Sequence, residues 1–185
     1  MSKRIRRHQA MLEFSFVYSS LSAIDEVQHT ELLVCTYWQD IRPMTGLAGL
    51  IDWRLNGEVS RLLRAGFAVG ETTEALLVPG RPRAPFEKII FVGAGERPAF
   101  NEQRYRATLA DVMRVLEKLK ASTVTLELPG RADTRIEPEN AIAVALELAG
   151  ESKAHAHWYV VDTPEAGQRM ATEVEQRRKF QRRIL

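Results

Sequence analysis

Compact β-rich apolar runs alternate along this chain with stretches whose apolar residues recur at helical spacing, and that alternation restricts the fold more than any other feature. Residues 30–37 (TELLVCTY) form a compact apolar, β-rich run that reads as a buried strand, and 14–18 (FSFVY) read as an earlier strand. "EALLVPG" and "FEKIIFVGAG" read as two more strands, separated by the proline-broken loop "RPRAP". "STVTLELPG" and "HAHWYVVD" complete the set. Between them the period changes. Tyr105, Leu109, Val112, Leu116 and Leu119 lie on one helical face, with Asn101 as the expected cap and Glu102 in the first turn. Val59, Leu62 and Leu63 give a short amphipathic helix started by Asn56 and stopped near Gly66. Pro138 opens a helix that Gly150 is placed to end, and Thr163-Pro164-Glu165 opens the last one. Strands buried on both faces and interleaved with helices predict an α/β sandwich around a mixed or parallel sheet.

The 185 residues suffice for one domain with its own core. No repeat or linker divides them. The expected division is a basic N-terminal tail at 1–12, an α/β domain at 13–174 and a basic helix end at 175–185. No apolar run is long enough to span a bilayer, and Glu13 interrupts the one that follows the basic N-terminus. A single cysteine excludes a disulfide framework and fits a reducing, cytoplasmic setting. The net charge of +2 is unevenly spread. The first eight residues carry +4, residues 173–185 carry +3, and the body between them is acidic at −5. Arg177, Arg178, Lys179, Arg182 and Arg183 make the C-terminal end a docking element for a protein partner, an acidic one included. Nucleic acid held through the two basic ends is a weaker reading, because there is no aromatic-basic interleaving of the kind single-strand readers use.

Several motifs bear on chemistry. "KIIFVGAGERPAF" has Gly93 and Gly95, but Pro98 stands where a dinucleotide fingerprint needs its third glycine. His155 and His157 share a strand face, yet no acidic residue close in sequence completes a metal set. Cys35 inside "LLVCTY" reads as a small core residue rather than a nucleophile. The loop "LPGRADTRIEPEN" follows a strand and leads into a helix, where α/β proteins gather ligand contacts. There Gly130 permits close approach, and Arg131 and Arg135 could meet an anion.

The run "DIRPMTGLAGLIDWRLNGEVSRLL", followed by Gly70-Glu71, "LLVPG" and "KIIFVGAGE", resembles the N-terminal domain of the leucyl aminopeptidase family. The likeness extends over roughly residues 31–162 and is most specific at Gly46-x-x-Gly49-x-x-Asp52-Trp53-Arg54. It implies a macro-domain-like three-layer sandwich. In that family the chemistry belongs to a separate C-terminal domain with two metals held by aspartates, a glutamate and a lysine, and no such cluster is legible here. The resemblance therefore implies the non-catalytic half, with no catalytic residue, metal or cofactor. Because those aminopeptidases are hexamers organised in part by their N-terminal domains, it also implies a protein partner or a homo-oligomer.

The wider macro-domain comparison raises ADP-ribose or a nucleotide as ligand. The matching strand end reads "VCTYWQD", the glycine run is reduced to Gly46 and Gly49, and the second phosphate loop would be "PGRADTRI". With so few glycines, the backbone nest that favours phosphate is poorly formed. The residues expected to line such a cleft are Asp40, Arg42, Gly46, Gly49, Asp52, Gly130 and Arg131. The competing expectation is structural: the two glycines let a helix approach the sheet, Asp52 and Arg54 bond neighbouring loops, and Asn56 caps the next helix.

Overall fold

The computed structural model describes residues 13–27, 30–151 and 157–184. Six strands form one sheet: β1 (Glu13–Tyr18), β2 (Leu32–Tyr37), β3 (Ala75–Pro79), β4 (Lys88–Gly93), β5 (Thr123–Leu126) and β6 (His157–Asp162). Their spatial order is β1-β6-β5-β2-β4-β3. All neighbours run parallel except β3, which is antiparallel to β4 at the edge. The helices are α1 (Leu21–Asp25), α2 (Gly46–Arg54), α3 (Glu58–Arg64), α4 (Glu102–Lys118), α5 (Pro138–Glu151) and α6 (Pro164–Ile184).

Strand β2 explains the layering. It is central and buried along its whole length, which is why its sequence is continuously apolar rather than alternating. Its side chains nevertheless sort by parity. Leu33, Cys35 and Tyr37 join Ile89, Phe91, Leu76 and Val78 beneath α1, α2 and α3, contributing Ile24, Leu47, Ile51 and Val59. Leu32 and Val34 join Ile90, Val92, Leu126, Trp158 and Val160 on the other side, packed by Tyr105, Leu109 and Leu116 of α4, Ala141 and Ile142 of α5, and Met170 of α6. The result is the three-layer α/β sandwich expected from the sequence.

Local signals account for most of the elements. The Asn101 side chain accepts from the Arg104 amide at 3.0 Å, and so caps α4 as expected. Two expectations are corrected. Helix α5 runs past Gly150 to Glu151. Asn56 does not cap α3: it sits at φ 62°, and the residue before the helix is Gly57 at φ 72°. A buried side chain from the preceding helix does the capping, as described below.

Candidate functional site

The cleft that the resemblance assigns to a nucleotide lies at the carboxyl ends of β2 and β5, between residues 36–46 and the loop 127–136. Chain leaving β2 turns inward at Trp38, which is buried. Its indole N–H donates to the Asp133 carboxylate at 2.5 Å. Its ring meets Phe100 edge-on, with centroids 4.8 Å apart. Asp133 also pairs with Arg97 at 3.3 Å, so one carboxylate ties the indole to the far wall of the cleft.

The glycines at this site serve close packing. Gly46 begins α2 at φ 61°, and a Cβ there would lie 2.5 Å from the Ala132 Cβ and 3.2 Å from both carboxyl oxygens of Glu127. A Cβ on Gly49 would fall 2.4 Å from the Met44 carbonyl oxygen. Gly130, at φ 74°, lies against the Phe100 ring, 2.6 Å from where its Cβ would be.

Glu127, just beyond β5, was not singled out by the sequence analysis. It is 4% exposed, and its Oε1 accepts from the Leu47 amide in the first turn of α2 at 3.2 Å. Thr45, at the N-cap position, makes no side-chain cap bond, so the carboxyl of Glu127 faces an otherwise uncapped helix start. Burial pushes its pKa up to about 8, against the pull of the Leu47 amide; Asp162 and Asp133 add to the rise, and Arg131 opposes it. The group is therefore protonated at neutral pH. A signal for it existed: period-two alternation puts Glu127 on the same face of the β5 run as Thr123 and Thr125, and Thr125 is itself buried and bonded to Thr30 at 2.9 Å.

The other expected site residues are engaged within the fold. The Arg131 guanidinium is buried, with Nε 2.8 Å and Nη2 3.3 Å from the Asp162 carboxylate, and its Nη1 donates to the Ile136 carbonyl at 2.5 Å. Asp52 lies on the far side of α2. Its Oδ1 accepts from the amides of Val59 at 2.8 Å and Ser60 at 3.1 Å, and its Oδ2 from the Ser60 hydroxyl at 2.5 Å. This is the cap of α3. Arg54 donates to the Arg83 carbonyl at 2.6 Å and pairs with Asp25. Arg42 reaches back to the carbonyls of Trp38 at 2.6 Å and Val69 at 2.9 Å, with its guanidinium 5.9 Å from the Tyr37 ring centroid. The Tyr37 hydroxyl donates to Glu74, and burial together with that bond pushes the phenol well up. Asp40, exposed at the rim, accepts from the Arg97 amide at 2.8 Å.

What remains of the cleft is a space of about 10 Å³, lined among others by Thr36, Trp38, Met44, Glu127, Gly130 and Asp133. That is room for one water molecule. Gly130 lines this space and Gly46 packs against two of its lining residues, Glu127 and Ala132, whereas Asp52 belongs to the outer side of α2 and does not share the cleft.

Cys35 is fully buried, and burial, with Glu127 nearby, raises its thiol well above the ordinary range, which fits a core residue. His157 bonds the Ser15 hydroxyl at 2.8 Å and stacks on Tyr159. His155 lies outside the described residues, and among the described residues no three metal-binding side chains cluster. On α6, Arg177 pairs with Glu173 at 2.6 Å and Lys179 lies 3.9 Å from Glu175; the side chains of Arg182 and Arg183 are outside the described set. No helix among the described residues is long and apolar enough to cross a membrane.

Comparisons with known proteins agree with this fold. The chain is 32% identical over 99 residues to a probable cytosol aminopeptidase of Thermosynechococcus vestitus, a match covering 54% of this chain and 20% of that one. It is 34% identical over 88 residues to the corresponding protein of Halorhodospira halophila, covering 48% and 18%. The matched segment thus spans about a fifth of the length of these relatives. In fold, it superposes on an Oceanobacillus iheyensis macrodomain mutant with a TM-score of 0.69 at 14% identity, covering 91% of this chain and 93% of that one. A mutant tomato leucine aminopeptidase gives 0.59 at 14% identity, with 88% of this chain on 35% of that one. The same Oceanobacillus macrodomain solved with ADP gives 0.63 at 13% identity, covering 81% and 85%. The model of the cytosol aminopeptidase family N-terminal domain matches residues 34–153. That match covers most of the chain, so the chain belongs to the cytosol aminopeptidase family through its N-terminal domain, carried on a macrodomain-like fold.

Proposed function

We propose that this domain is a non-catalytic binding module that works through protein contacts, self-association included, rather than through a ligand in the cleft. The observation that carries this reading is the filled cleft. A nucleoside diphosphate needs several hundred cubic ångströms, whereas Trp38, Glu127, Ala132 and Asp133 leave about 10 Å³. The Leu47 amide at the start of α2, which could face a phosphate, instead donates to the protonated carboxyl of Glu127. The outer surface, by contrast, carries large apolar side chains, with Trp53 75% and Phe67 73% exposed. The match to the family is confined to its N-terminal domain, which supports a role apart from the peptidase chemistry.

Thermal unfolding in the presence of ADP-ribose tests the reading directly. A ligand with Kd near 10 μM would add about 2.7 kcal/mol at about 1 mM, a shift of roughly 5–10 °C. No shift is expected, and a saturable one would return the domain to the nucleotide-reading class. Deletion of residues 175–185 tests the basic helix end: loss of partner capture by a still-folded truncation is expected, and retained capture would remove that helix from the model.

A further inference from the structure

Strand β3 closes one edge of the sheet, and the bonds at its two ends fix which of its groups face outward. The Gly93 amide donates to the Glu74 carbonyl at 2.9 Å, and the Gly80 amide to the Glu87 carbonyl at 3.1 Å. Even-numbered residues therefore turn their N–H and C=O groups toward β4, while Ala75 and Leu77 turn theirs away from the sheet. Among the described residues no strand pairs with them there. Ala75, Leu77 and Pro79 are also the exposed side chains of the strand, and Leu77 is 55% exposed.

Edge strands of this kind are usually guarded by charge, bulges or a covering segment. The strand ALLVP carries no charge, and its proline stands only at the last position. Charges flank it instead, with opposite sign at the two ends: Glu71 precedes it, Arg81 and Arg83 follow it, and all three are exposed.

We propose that β3 pairs antiparallel with β3 of a second copy of this chain, about a two-fold axis at Leu77. This deepens the protein-contact reading above and rests on it. The two-fold register sets Leu77 opposite Leu77 and Ala75 opposite Pro79, making about four main-chain hydrogen bonds. It buries the exposed leucines against each other in a self-complementary contact. It also brings the Glu71 end of each copy to the Arg81–Arg83 end of the other, whereas parallel pairing would set like charges together. That charge arrangement favours a second copy over an unrelated strand.

Sedimentation velocity of the full chain from about 10 to about 500 μM tests it, a range suited to an interface of this small size. The mass should rise with concentration. Leu77→Lys should lower the association constant at least about tenfold with little change in melting temperature, because the side chain is exposed in the monomer. Leu77→Cys should form a disulfide-linked dimer on mild oxidation, since facing residues in such a pair lie about 5.5 Å apart. Cys35 is fully buried and does not compete. Tyr18→Cys, at the exposed end of β1 on the opposite edge, should give no such dimer. A chain that stays monomeric, or a Leu77→Cys variant that does not cross-link, overturns the pairing and leaves the broader reading to its own tests. A dimer unaffected by Leu77→Lys also overturns it, while supporting self-association through another surface.

Discussion

Replacing Glu127 by glutamine is a perturbation whose size follows from the structure. The carboxyl ionises near its ordinary 4.5 in the unfolded chain, but burial beneath α2 holds its proton until about 8 in the fold. Between those values the native state binds more protons than the unfolded state. Stability therefore falls as pH rises, by about 1.4 kcal/mol per pH unit, and levels off once the folded carboxyl has also ionised. At pH 7 the loss comes to about 3 kcal/mol relative to acid conditions. Glutamine has no proton to lose and keeps an oxygen for the Leu47 amide. Glu127→Gln should lie within about 1 kcal/mol of the parent near pH 5 and be more stable by about 2–3 kcal/mol near pH 7.5. For a domain of this size that is roughly 5–10 °C in melting temperature. Urea unfolding of both proteins at intervals from about pH 5 to about pH 8 makes the comparison, and other titrating groups cancel in the difference. Parallel stability profiles would refute the reasoning, because they would mean that Glu127 is ionised in the fold.

Two further outcomes follow from named contacts. Asp52→Ala removes the acceptor for the amides of Val59 and Ser60 at the start of α3 and should cost about 1–2 kcal/mol by denaturant unfolding. Arg131→Leu leaves the buried Asp162 carboxylate without its guanidinium and should cost about 3–5 kcal/mol in the same assay, with Asp162→Asn in the same chain recovering part of the loss.

The alternation of strand and helix periods was enough to predict the sandwich, because a strand buried on both faces must be continuously apolar and a helix covering it must carry a stripe. The run at 30–37 and the stripe that begins at Tyr105 are the clearest cases: the first formed β2 from Leu32, and the second formed α4 with Tyr105, Leu109, Val112 and Leu116 buried, while Leu119 falls just past the helix and is exposed. The glycine-rich stretch at 46–54 carried enough detail to indicate close packing and the backbone bonding of Asp52 and Arg54, although Gly46 and Gly49 pack against Ala132, Glu127 and the Met44 carbonyl rather than against the strands. Tertiary structure decided what the sequence left open. Asp52, rather than Asn56, caps α3, because the chain turns back at Gly57 and brings that helix start to a side chain seven residues earlier. Arg131 could have met a ligand anion; instead it lies beside Asp162 because β5 and β6 are neighbours, a pairing between residues 31 positions apart. Glu127 looks in sequence like a lone acid in an apolar run, and its elevated pKa arises from its burial in the fold, which outweighs the lowering pull of the Leu47 amide at the start of α2. The filling of the cleft depends on the same long-range geometry. Trp38 and Asp133 lie 95 residues apart, and only the parallel order of β2 and β5 sets their loops face to face. Periodicity reports which face of an element is buried, while the contents of a cleft depend on which elements end side by side.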